Sequence, residues 1–86
     1  MTVETLVEKY IKSAKKAIQQ IEERRRPGYN AEKVLDHAKR YLEDANYYRE
    51  QEKFETALTS VAYCEGLLDA LRLLGMVEFQ WTTDNT

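Results

Sequence analysis

The chain of 86 residues has one cysteine, one proline, three glycines, one histidine and one tryptophan. A lone Cys64 cannot close an internal disulfide, which excludes a stapled scaffold and fits a reducing compartment. A single histidine without further ligands makes poor metal chemistry. No apolar run approaches the roughly 20 residues needed to span a bilayer, and the start of the chain lacks the apolar centre of a signal peptide. A cytoplasmic protein without membrane contact is therefore expected. No phosphate loop, metal box or nucleophile paired with a base is evident, so the expectation is a non-enzyme without cofactors. Neither sign of charge dominates, the formal balance being −2. The distribution is less even, because seven of the 13 basic residues but only four of the 15 acidic ones precede Pro27.

What the chain does have is a helical rhythm of apolar residues, 43% of the total. Val3, Val7, Tyr10, Ala14, Ala17 and Ile21 recur at steps of four and three, with Leu6 and Ile18 widening the stripe. That spacing predicts an amphipathic helix over about 3–26. Thr2 suits its cap, Arg24, Arg25 and Arg26 suit its carboxyl end, and Pro27-Gly28 ends it. Asn30 then caps a second helix over 31–50, with Ala31, Val34, Ala38, Tyr41, Ala45 and Tyr48 on its core side and Leu35 and Leu42 broadening it. A polar break at Gln51-Glu52-Lys53 precedes a third helix over 54–74, which Gly75 closes in a left-handed conformation. One stripe of this helix is Ala57, Val61, Cys64, Leu68 and Leu71, and beside it runs a second, Tyr63, Leu67, Ala70 and Leu74.

Connections this short force neighbours to run antiparallel. The fold class is therefore all-α: an up-and-down three-helix bundle over 1–75 with a short extended C-terminal tail over 76–86. In that tail Val77, Phe79 and Trp81 alternate with polar residues, so one side should rest on the bundle. Thr82 to Thr86 should fray. Gly66 costs about 1 kcal/mol against alanine in a helix interior, which is accounted for if two helices touch there.

The hairpin resembles a small archaeal family of domains of unknown function, family 357. The residues that carry the likeness are Asp44-Ala45, Tyr47-Tyr48, Phe54 to Ala57, Tyr63 and Gly66-Leu67-Leu68-Asp69. The resemblance implies a closed three-helix bundle and lends no catalytic residues. Because some relatives carry a nucleotidyltransferase-like domain beside this one, it also implies an accessory role toward nucleotides or nucleic acid, exercised in trans.

Three candidate surfaces follow. Tyr63, Leu67, Leu74, Val77, Phe79 and Trp81 form an apolar surplus suited to a protein partner or a second copy. Asp44, Glu65, Asp69 and Arg72 form a polar strip that could share a divalent cation or simply be a solvated row of charges. His37 shares a stripe with Tyr41, Asp44 and Tyr48, where a base or metal ligand competes with an ordinary core margin. Arg24, Arg25 and Arg26 are candidate phosphate contacts, continued along the first helix by Lys9, Lys12 and Lys16. Glu4, Glu8, Glu22 and Glu23 interleave with these and favour a solvated face. The leading expectation is a non-enzymatic helical interaction module.

Overall fold

A computed structural model of the chain describes residues 1–24 and 26–81. Among these residues there are three helices, α1 (Val3–Glu22), α2 (Tyr29–Glu50) and α3 (Phe54–Leu73). Thr2 begins α1 as its sequence suggests. Its hydroxyl accepts from the Thr5 amide and the Thr5 hydroxyl accepts from the Thr2 amide, both at 3.1 Å, so two free donors of the first turn are satisfied reciprocally.

The helix ends at Glu22, short of the expected Arg26. Pro27 disfavours a helical residue before it, and Arg26 instead reaches forward to Glu32. The second helix likewise starts early. Gly28 is its cap residue, without a side-chain bond, and Asn30 lies inside the first turn.

The turn between α2 and α3 falls where the polar break predicted it. The Glu52 amide donates to the Arg49 carbonyl and the Lys53 amide to the Tyr48 carbonyl, both at 2.9 Å. This closure needs a left-handed residue, and Glu52 takes φ +62° to provide it. The same closure recurs after α3 with Gly75 at φ +73°, where the Met76 amide donates to the Leu71 carbonyl at 3.0 Å.

Side-chain register shows the antiparallel order. Tyr41 of α2 stacks on Tyr63 of α3, while the earlier Val34 and His37 share a recess with the later Leu67. Between α1 and α2, Glu22 pairs with Lys39, and the earlier Ile18 lies beside the later Leu42 and Asn46. The core is built from Val7, Ile11, Ala14, Ile18 and Ile21 of α1, Ala31, Leu35, Ala38 and Ala45 of α2, and the whole Ala57–Val61–Cys64–Leu68–Leu71 stripe of α3. Helix α3 packs extensively on both others, and α1 meets α2 least.

The tail crosses the bundle as a strap. Val77 and Phe79 are buried, Glu78 and Gln80 are exposed and Trp81 is half-buried, so the two-residue alternation holds. Having no neighbouring strand, the strap takes its partner from a side chain. Gln20 donates to the Gln80 carbonyl and accepts from the Gln80 amide, both at 3.0 Å. Thr82 to Thr86, expected to fray, lie outside the described residues.

Candidate functional site

Two features of α3 remain unused by the core, one on each side of the helix. The first is its outward face. Every exposed residue between Thr56 and Leu74 is uncharged, and Tyr63, Leu73 and Leu74 are the large ones, at 54%, 71% and 72% exposure. Tyr63 is held in place on this face, its ring stacked on Tyr41 with centroids 4.4 Å apart. Leu67 beside it is half-buried and shares its recess with Val34, His37 and Tyr41. Of the expected apolar surplus, Tyr63, Leu67 and Leu74 therefore remain on offer. Val77 and Phe79 do not, being 8% and 5% exposed within the core. Trp81 packs edge-on against Phe79, centroids 4.8 Å apart. The strap spends its aromatics inside because α1 and α3 leave a groove that they fill. Leu73 was not expected among the exposed residues; one heptad beyond Gly66, it stands at the margin between this face and the cleft side of α3.

The second feature is a cleft of about 380 Å³ where α1, α3 and the strap converge. Lys9, Tyr10 and Ser13 come from α1, Glu65, Gly66 and Asp69 from α3, and Trp81 from the strap. Asp69 is engaged through one oxygen. Its Oδ1 accepts from Arg72 Nε at 3.0 Å, from Arg72 Nη2 at 2.8 Å and from Trp81 Nε1 at 3.0 Å. These donors hold its carboxyl below the usual value, the Trp81 bond foremost. Glu65, one turn earlier, has no such donor. Burial, and then the charge of Asp69, push its carboxyl up to about 7. Glu65, Asp69 and Arg72 thus share one side of α3 as the sequence suggests, whereas Asp44 is exposed on α2 and does not line the cleft.

Gly66 corrects an expectation. It is exposed, and a Cβ placed on it would meet nothing within 4 Å, so no helix approaches closely there. The glycine instead leaves bare backbone beside the cleft. Cys64, on the core side, is fully buried, and burial followed by the charge of Glu65 pushes its thiol up to about 12. That is the opposite of activation.

Two arginines of the basic cluster, Arg24 and Arg26, face carboxylates. Arg26 makes a two-pronged contact with Glu32 at 3.0 and 2.9 Å, and Arg24 lies 3.6 Å from Glu78. Arg25 lies outside the described residues. His37 is exposed at the rim of its recess. Among the described residues no group of three or more histidine, cysteine or acidic side chains is placed to hold a metal ion. No helix among them is long and apolar enough to cross a membrane.

The model of a family described as "Protein of unknown function (DUF357)" matches residues 9–77. No curated protein and no solved structure matches the chain.

Proposed function

The chain belongs to the DUF357 family, whose description carries no activity, and from the geometry we propose that it is a non-enzymatic helical interaction module that presents the outward face of α3 to a second copy of itself. One observation carries this reading. From Thr56 to Leu74 the charged residues of α3, Glu65, Asp69 and Arg72, are half-buried along one margin, while Tyr63, Leu73 and Leu74 stand in solvent. A solvated helix face normally carries charge, and an apolar one gains by being covered.

The spacing favours a like partner. Tyr63, Leu67, Ala70 and Leu74 are separated by four, three and four residues, which reads the same in both directions. Two copies of α3 laid antiparallel therefore set Tyr63 against Leu74 and Leu67 against Ala70. A two-fold axis requires this kind of self-matching. Identical copies also meet there without like-charge repulsion. The phosphate-binding alternative loses support because Arg24 and Arg26 already face Glu78 and Glu32.

Light scattering coupled to size exclusion tests the reading. The 10.1 kDa chain should rise toward twice its mass at high concentration, and Tyr63→Lys with Leu74→Lys should hold it at the monomer mass with unchanged helicity. A native chain that stays monomeric up to about 1 mM, where only very weak pairing would escape notice, sinks self-association.

A further inference from the structure

The cleft on the other side of α3 serves no purpose in that reading, and its composition is specific. We propose that it binds a small molecule carrying an ammonium group and a carboxylate at opposite ends of an apolar body, an ω-amino acid in chemical class. At about 380 Å³ it lies within the range of small-molecule sites, roughly 300–1,000 Å³. The pocket is built rather than incidental. Trp81 is fixed by its bond to Asp69, and Arg72 in turn fixes Asp69.

That arrangement engages Asp69 through Oδ1 and leaves the half-buried Glu65 and the exposed Lys9 open to a ligand. Among the described residues Glu65 makes no hydrogen bond or ion pair and neither does Lys9, although both line the same cleft. They do not pair with each other. A half-buried carboxylate gains from a delivered cation, because an opposite charge nearby favours the ionised form that desolvation disfavours. Lys9, exposed on the α1 wall, offers a partner to the reverse sign. A simple amine would meet Lys9 and a simple acid would meet Glu65 and Asp69, whereas one molecule with both ends answers both walls. Between the ends, the rings of Tyr10 and Trp81 offer apolar surface. Gly66 lets the ligand body lie close to the helix backbone, which gives a use to a residue that no protein neighbour explains.

Trp81 is the one tryptophan of the chain, so its fluorescence reports the cleft directly. The intact protein is titrated with 6-aminohexanoate, with n-hexylamine and with hexanoate. The expected result is a saturable change of emission with 6-aminohexanoate and binding about tenfold weaker or more with either single-ended probe. Glu65→Gln and Lys9→Ala should each weaken 6-aminohexanoate about tenfold with unchanged circular dichroism. Equal binding of n-hexylamine, indifference to either substitution, or no saturable response up to about 10 mM overturns the proposal. Because Tyr63 and Leu74 lie outside the cleft, Tyr63→Lys with Leu74→Lys should leave the response intact, so this test stands apart from that of self-association.

Discussion

Glu65 sets the pH dependence of stability that a single residue can contribute here. Its carboxyl titrates near 7 in the folded chain against an ordinary 4.5. The folded state therefore holds a proton that the unfolded chain has lost, and the stability this brings is present below pH 4.5 and disappears as pH rises toward 7. The full shift corresponds to about 3 kcal/mol, but the side chain is half-exposed and solvent screening reduces this to roughly 1 kcal/mol. Asp69 acts in the opposite sense, its lowered carboxyl losing its contribution only as pH falls below the ordinary range, and so does not interfere between pH 5 and 8. We expect Glu65→Gln to match the native chain in urea unfolding at pH 5 and to exceed it by roughly 1 kcal/mol at pH 8. Equal differences at both values would mean the carboxyl titrates normally. Two other residues carry expectations of their own. Glu52 sits at φ +62°, where a side chain costs roughly 1–2 kcal/mol, so Glu52→Gly should raise the melting temperature despite adding a glycine. Cys64, with no exposed surface and its thiol held near 12, should resist aromatic disulfide reagents until the protein is unfolded. Fast labelling of the native state would contradict its burial.

At the scale of the helix, Gly66 separates what spacing can say from what it cannot. An interior glycine reads as a close helix contact, and on that reading Gly66→Leu should overpack. The structure reverses the expected sign, because the space above Gly66 is open. Gly66→Ala should now stabilise by about 1 kcal/mol, checked by thermal unfolding, while narrowing the edge of the cleft. A loss of stability instead would place a neighbour there after all. The core stripe of α3 was legible in full, from Ala57 to Leu71, because a helix packed on both sides keeps a strict three-four rhythm. The stripe of α1 was legible apart from Ile11, which falls one position beyond Tyr10 and takes the deeper place that the tyrosine, with its polar tip, does not. The end of α1 was misplaced because three arginines at a helix terminus look like dipole partners, and nothing local announces that Arg26 will turn to Glu32. The cleft was illegible for a different reason. Lys9 and Ser13 come to share a cleft with Glu65 only through the relative register of α1 and α3, and no single-helix pattern encodes that. Tyr63, Leu67 and Leu74 could be read as surplus, since the excess apolar width of α3 is a property of one helix.

For the whole molecule, the strap decides how α1 and α3 are held together. Residues 9–77 match the shared family model, yet the core of this chain runs on to Phe79, which is 5% exposed, and to Trp81, which bonds Asp69. The groove between α1 and α3 is thus closed by side chains lying beyond the shared segment. Burial of a phenylalanine in such a position contributes far more than the exposed contacts around it. Arg24–Glu78 is a surface pair and adds little, and the two bonds between Gln20 and Gln80 exchange with water at modest net gain. If the strap is part of the core, Phe79→Ala should lower unfolding stability by about 3–5 kcal/mol. Trp81→Phe, which keeps one ring but removes the indole donor and some packed apolar surface, should cost about 1–2 kcal/mol. Glu78→Ala should fall within about 0.5 kcal/mol of the native chain. The ordering separates the alternatives, since a strap resting loosely on a finished three-helix core would give three small and similar values in urea unfolding. A large loss at Phe79 alone would make the strap the element that completes the bundle.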